Sequence, residues 1–311
     1  MAENLRFMQK KPGRLSTLLP EIGLLILLSF IWGNSFVLMK IAVESIPPLS
    51  LTAFRVTLAA LLLTVYMKLC GLSFSTDRRI WFFFLIQGLL QCAIPYTLIS
   101  WGEKEISSGL AGVLNATPPV FVLLIAMFTG LGGYLLTIRK VLGTSLGLAG
   151  VVVTIGYSVI QDSSTAAPLA QLAVLGASLC YALSPLIILK HTSVPPLVIT
   201  AGSMCCSAIM MIPASVAIDQ PWHLTPSLSS ILSAVALAVI CTAVAMIIYF
   251  RLVSTLGALV TASGGYLRAG FSVASGILFL GESFSWSVGV GMILIVAGIT
   301  IISAPSRMNK A

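Results

Sequence analysis

Charge is scarce in this sequence. Only 8% of its 311 residues are Asp, Glu, Lys or Arg, against about 25% in a soluble domain. A globular surface in water cannot be covered with so few. Hydrophobic residues make up 58%, and composition alone indicates an integral membrane protein. The net charge is +8, which in a soluble chain suggests nucleic acid. Here the Lys and Arg stand at the ends of apolar runs, where they orient helices in a bilayer. No basic face remains to form a footprint, so no nucleic-acid partner is expected.

Other absences exclude chemistry. The six cysteines, Cys70, Cys92, Cys180, Cys205, Cys206 and Cys241, show neither zinc-site spacing nor the loop placement of a disulfide scaffold. They read as small hydrophobes. The two histidines, His191 and His223, fall in loops. No Asp or Glu occupies the middle of an apolar run; Glu21 and Glu282 stand at run ends and the other seven lie in loops or the tail. That removes the paired carboxylates of an intramembrane protease. It also favours facilitated transport or exchange over an intramembrane proton relay. Gly143-Thr144-Ser145-Leu146-Gly147 matches GxSxG, but it lies within a helical run, not at a strand-to-helix elbow with a histidine base nearby. We therefore expect no catalytic residue, no metal, no cofactor and no enzyme activity.

What the sequence does have is length in its apolar runs. A membrane helix needs about 20 such residues, and ten segments qualify: roughly 20–43, 48–69, 80–101, 107–130, 138–160, 168–190, 196–217, 228–252, 256–280 and 286–305. Barrel strands are about half as long and alternate in polarity, so the spans are helices, which alone satisfy the backbone within one segment. The basic stretch Lys10, Lys11 and Arg14 before the first run resembles a signal peptide. The run from Ile22 to Val43 is longer than a typical h-region of about 7–15 residues, so it reads as a retained span. With the N-terminus in the cytoplasm, thirteen of the 17 Lys and Arg fall on inner segments, two (Lys40 and Lys104) on outer ones, and Arg55 and Arg268 inside spans. This asymmetry predicts both termini in the cytoplasm.

The two halves repeat. Leu28–Leu49, with WGNSFVLMK and then PPL, resembles Gly176–Leu197, with YALSPLIILK and then PPL. Gly143-x6-Gly150 similarly matches Gly291-x6-Gly298. Five spans per half is odd, so the halves take opposite orientations, an arrangement that in transporters places the site near the midplane. The predicted fold is an all-α integral membrane protein with ten transmembrane helices in two inverted five-helix repeats. Its parts are a tail at 1–19, repeats at 20–160 and 161–305, and a tail at 306–311.

At this point the chain resembles the drug/metabolite transporter superfamily, in particular its EamA-type members. The residues carrying the resemblance are Trp32-Gly33-Asn34-Ser35-Phe36 with Lys40, Pro48 with Phe54-Arg55, the stretch Ala111–Pro119, and Leu280-Gly281-Glu282 before Gly291 and Gly298. It covers about residues 20 to 304. The resemblance implies ten helices, two inverted repeats, a central cavity and transport of small metabolites. Two positions depart from its pattern. Tyr134 stands where an acidic residue is usual after span four, and Gly265–Gly270, with Arg268, replaces the usual proline of span nine.

Arg268 is the sharpest signal. A charge near the middle of a span costs about 2.5–3.5 kcal/mol on insertion scales, so it should face the protein interior or a wet cavity. Its planar fork suits a carboxylate or phosphate, although a structural arginine bonded to helix carbonyls meets the same constraint. Arg55, nearer a span end, has the same two readings, with a structural or gating role favoured. Asn34, Gln87, Gln91 and Asn115 are polar within spans, and Pro95, Pro118 and Pro119 break or bend theirs. Trp32, Tyr96, Tyr181 and Tyr266 offer an aromatic lining. The candidate substrate site is Trp32, Asn34, Arg55, Gln91, Tyr96, Asn115, Tyr181, Tyr266 and Arg268. Glu282 reads as structural, favouring the N-terminus of the helix that follows it. The expected activity is alternating-access export of a small carboxylate-bearing metabolite, such as an amino acid, across a bacterial inner membrane. The expected partners are the solute and membrane lipid, with the chain a monomer or homodimer. An intramembrane enzyme or a channel is the alternative.

Overall fold

In the computed structural model the described residues are 15–129, 138–161, 166–188, 194–283 and 285–303. Among them the secondary structure is entirely helical. Most of both predicted tails, and Tyr134, lie outside them.

Helices begin and end where local chemistry directs. Helix α1 spans Leu15–Ala42 and α2 spans Pro48–Leu69. Pro48 opens α2 at a position where a missing N–H is no loss. The third segment is α3 (Arg78–Gly88), a π-helical stretch at Leu89–Ala93, and α4 (Ile94–Gly102). Asp77 caps it, accepting from the Arg79 amide at 2.8 Å. The fourth segment is broken. Helix α5 (Ser108–Leu114), capped by Ser107, ends at Asn115, and α6 starts at Pro118 and runs to Thr129. A proline has no N–H for the preceding turn and fixes its own φ, so the two prolines stop one helix and start another.

The remaining helices are α7 (Ile138–Gln161), α8 (Ala166–Ile188) and α9 (Pro196–Ile218), then α10 (Leu228–Ala238) and α11 (Ala245–Leu256) with a second π stretch, Val239–Val244, between them. Helices α12 (Ala258–Leu280) and α13 (Trp286–Ser303) follow. Gly257 (φ 85°) separates α11 from α12, and Gly281 (φ 65°) ends α12; both conformations favour glycine. Among the described residues seven helical stretches are long and apolar enough to cross a membrane. Val141–Thr154, Leu267–Leu280 and Trp286–Gly298 are shorter apolar stretches.

The packing has an exchange symmetry. Segments are numbered one to ten in chain order. Segment two packs on seven (α2 on α9) and five on ten (α7 on α13). Segment one packs on nine (α12) and eight (α10 and α11), while six (α8) packs on four (α5 and α6) and three (α4). Replacing every segment by the one five places away returns the same principal pairs. The two π stretches obey the same exchange, since they interrupt segments three and eight.

Polarity is arranged inside out. Large apolar side chains such as Leu61, Ile209 and Leu278 are exposed, while Arg55, Gln87, Glu103, Asn115, Ser178 and Thr242 are buried. Buried polar groups bond between helices, as expected where lipid supplies no partner. The Gln87 amide donates to the Ser184 carbonyl at 2.9 Å and accepts from the Ser184 hydroxyl at 2.6 Å, so Gln87 joins α3 to α8. Glycines set the closest approaches. A Cβ on Gly298 of α13 would meet the Gly143 carbonyl oxygen at 2.5 Å and the Gly147 nitrogen at 2.7 Å, the role expected of GxxxG.

One end of the bundle is cross-bonded between elements far apart in sequence. The Ser50 amide and hydroxyl donate to Asp219 Oδ2 at 2.7 and 2.9 Å. The Ser230 hydroxyl donates to the Ile41 carbonyl at 2.9 Å. Lys40 donates to the backbone carbonyls of Glu103 and Ile106. Glu282 accepts from the Ser108 and Gly109 amides. At the opposite end, Arg251 pairs with Glu21 at 2.8 Å.

Candidate functional site

The site is assembled around Arg55. This side chain points from α2 into the interior, where the residue is 5% exposed. Its Nε donates to the Thr242 hydroxyl at 2.9 Å, and its guanidinium carbon lies over the Tyr96 ring, 3.9 Å from the centroid. The π stretches account for both partners. Tyr96 follows the first, and Thr242 lies within the second, where its hydroxyl donates five residues back to the Leu237 carbonyl at 2.8 Å. π-Helical turns inside α-helices recur at functional sites. Here they bring one ring face and one hydroxyl oxygen to one guanidinium. The Nε bond to Thr242 is the only hydrogen bond of Arg55 among the described residues. Donors therefore remain on this fork for a ligand.

Arg268 approaches from α12. Its Nη2 donates to the Asn115 carbonyl at 2.7 Å. That carbonyl lies at the α5–α6 break, where Pro118 and Pro119 leave backbone oxygens without helical partners. Arg268 Nε is buried without a hydrogen-bond partner. Tyr181, on α8, lies within electrostatic reach of Arg55, Arg268 and Tyr96. It therefore ties the two cationic groups into one neighbourhood, at the junction of two core clusters.

The nine predicted residues divide. Arg55, Tyr96, Asn115, Tyr181 and Arg268 come together. Trp32 borders the group: its indole N–H donates to the Cys241 carbonyl at 3.2 Å, and Cys241 shares the Arg55 neighbourhood. Gln91 is half-buried in the first π stretch, next to Cys92, which also lies near Arg55. Asn34 is turned back on its own helix, its amide donating to the Phe30 carbonyl at 2.9 Å. The Tyr266 side chain lies outside the described residues.

Sequence reasoning missed Thr242 and Ser178. Ser178 donates to the Leu114 carbonyl at 3.1 Å and so supports the same break that receives Arg268. Neither residue has a motif; each is a small hydroxyl in an apolar run. The expected role of Glu282 is corrected. Its carboxylate accepts from the Ser108 amide at 2.6 Å and the Gly109 amide at 3.1 Å, so it caps α5, a helix of the other half, instead of the helix that follows it.

Comparison with known proteins gives the family. The profile of the EamA-like transporter family matches the chain twice, at residues 19–156 and 168–304. The chain belongs to the EamA-like transporter family. It is thus an EamA-type member of the drug/metabolite transporter superfamily, a membrane transporter. Among its relatives, the "Uncharacterized inner membrane transporter YedA" of Escherichia coli K12 is 26% identical over 293 residues, covering 93% of this chain and 92% of that one. The "Uncharacterized transporter YvbV" of Bacillus subtilis is 27% identical over 304 residues, covering 94% and 95%. A solved crystal structure superimposes with a TM-score of 0.64 at 18% identity, covering 91% of this chain and 97% of that one, which shows a shared fold. The two sites matched by this EamA-like profile together contain both arginines and every partner described above.

Proposed function

We propose that this transporter carries a small solute bearing a carboxylate, such as an amino acid or related metabolite, out of the cell across a bacterial inner membrane. The observation that carries the proposal is the pair of guanidinium groups, Arg55 buried and Arg268 half-buried, sharing the neighbourhood of Tyr181 while donors on each remain without protein acceptors. A carboxylate offers the planar acceptor pair that a guanidinium fork recognises. The aromatic rings of Tyr96 and Tyr181 stand in the same neighbourhood and suit the apolar part of such a solute.

The transport cycle we propose is alternating access by ten spans in two inverted repeats, 20–160 and 161–305, with both termini in the cytoplasm. It is supported by the doubled family match and by the exchange symmetry of the packing. The cross-bonded end holding Lys40, Glu103, Asp219 and Glu282 is then the outer end, and it is closed here. The name of the Escherichia coli relative supports the inner membrane.

The test is flux. Purified protein in liposomes is screened with radiolabelled amino acids and organic acids, with and without a proton gradient. Saturable uptake of one class, competed by its analogues and lost in Arg268→Ala, supports the assignment. No uptake of any carboxylate by protein shown to be folded sinks it. Accumulation by inverted cell vesicles tests the direction.

A further inference from the structure

A second ionisable site lies at the cross-bonded end. Glu103, the first residue after α4, is 0% exposed. Both of its carboxyl oxygens are buried without a hydrogen-bond donor. Beside the loop that it opens, the Ser108 hydroxyl is also fully buried and without a partner. A bare carboxylate in such a place is opposed by several kcal/mol of lost hydration, and a neutral acid escapes most of that penalty.

The groups facing Glu103 do not supply a counter-charge in contact. From α1, Lys40 reaches the same loop, but its ammonium donates to the backbone carbonyls of Glu103, Lys104 and Ile106. Those three acceptors exhaust its three protons, and no salt bridge joins it to the carboxyl. From α2, Arg55 acts only at a distance. From the loop after α12, Glu282 adds a negative charge. The loop's own Lys104 and Glu105 are exposed. The two carboxyl groups thus differ in surroundings. Glu282 has two amide donors, while Glu103 has none. Burial accordingly raises the Glu103 carboxyl well above the usual carboxylate range, with Lys40 opposing that rise and Glu282 adding to it.

We propose that Glu103 is the binding site for one proton, taken up from the adjoining aqueous phase as this end of the bundle closes and released as it opens. The atoms balance simply: a carboxylate and a proton from water give the carboxylic acid on closing, and the acid returns the proton on opening. The closed form is held together by Lys40 and Glu282, which grip the Glu103–Gly109 stretch from α1 and from the loop after α12. Opening parts these contacts and admits water, in which a glutamic acid ionises near pH ~4.3. The sign follows from linkage. The closed form holds the raised value, so it is favoured below that value. The gain is complete below the open-form value of ~4.3, falls about tenfold per pH unit as the pH rises from there toward the raised value, and is gone above it.

The inference rests on the carrier reading only for its flux arm. Infrared difference spectroscopy of the protein in liposomes at neutral pH is expected to show a protonated carboxyl C=O band that is absent in Glu103→Gln and retained in Glu282→Gln. No such band in the wild type, or one undiminished in Glu103→Gln, overturns the proposal. Glu103→Gln has the shape of the neutral acid and is expected to fold. Glu103→Asp, which should shift the band without removing it, covers the case in which it does not. In the flux arm, solute exchange by the wild type slows as the pH at this end becomes alkaline, and Glu103→Gln exchange is flat. PH dependence persisting in Glu103→Gln overturns the link to closure. Absence of all flux refutes the carrier reading and leaves the infrared result standing.

Discussion

Arg55 and Thr242 are joined across 187 positions of sequence by one hydrogen bond of 2.9 Å. The acceptor belongs to a π-helical turn, and the guanidinium lies over the Tyr96 ring. Arg55 is therefore oriented from two helices, and its remaining donors are fixed in direction. Arg55→Lys keeps the charge and loses the fork. It is expected to lower kcat/KM for a carboxylate solute by at least about tenfold, the effect of roughly 1.4 kcal/mol. Thermal melting should stay near the wild type. Liposome flux and a melting curve on the same preparation check this.

Tyr96 separates ring from hydroxyl. A buried cation–π contact is worth about 0.5–2 kcal/mol. Tyr96→Phe retains the ring and is expected to keep most of the activity. Tyr96→Leu removes it and is expected to raise KM severalfold. Equal KM values for the two variants refute an orienting role for the ring.

Arg268 tests the broken segment. Its Nη2 bonds the Asn115 carbonyl, at a break whose free oxygens need donors. Arg268→Ala is predicted to abolish carboxylate transport, and Arg268→Gln, which can still donate to that carbonyl, to restore stability without restoring transport. Transport by Arg268→Gln at the wild-type rate excludes a charge-based role.

Glu282 is predicted to act on stability through α5. Its two charge-assisted bonds are each worth about 1.5–3 kcal/mol. Glu282→Ala is expected to lower the melting temperature more than Glu105→Ala, whose side chain is exposed. Matching melting temperatures remove the capping role.

The α7–α13 contact predicts the response to a single methyl group. Gly298→Ala drives a Cβ toward the backbone of Gly143 and Gly147, where no side chain can yield. Overpacking of this kind costs about 1–3 kcal/mol. Gly265→Ala, with open space around its Cβ, serves as the control in the same thermal melt.

Much of the helix layout was legible because apolar run length, proline and glycine act locally. Pro118 and Pro119 announced the break at Asn115–Thr117, and Pro47-Pro48 announced the start of α2. Arg55 and Arg268 were legible because a charge in an apolar run must have a partner. The π stretches were not, since no residue within Leu89–Ala93 or Val239–Val244 demands a wider turn, although Pro95 just beyond the first is a bend signal. The burial of Glu103 was not legible because nothing in Gly-Glu-Lys-Glu reveals that Lys40 of α1 reaches its carbonyl and Glu282 stands near it. The partner of Glu282 was misjudged for a similar reason. The helix next in sequence is the default beneficiary of a charge, and here another helix lies closer.

The contact at Gly143, Gly147 and Gly298 also sets a mechanical limit. Two helices meeting backbone to backbone have no rotamers to exchange at the crossing, so they cannot slide past each other by reshuffling side chains. Gly150 and Gly291 meet backbone to backbone further along the same two helices, so the pair cannot pivot about a single crossing either. A rearrangement of the bundle that keeps these contacts carries α7 and α13 together as one unit, one helix from each half of the chain.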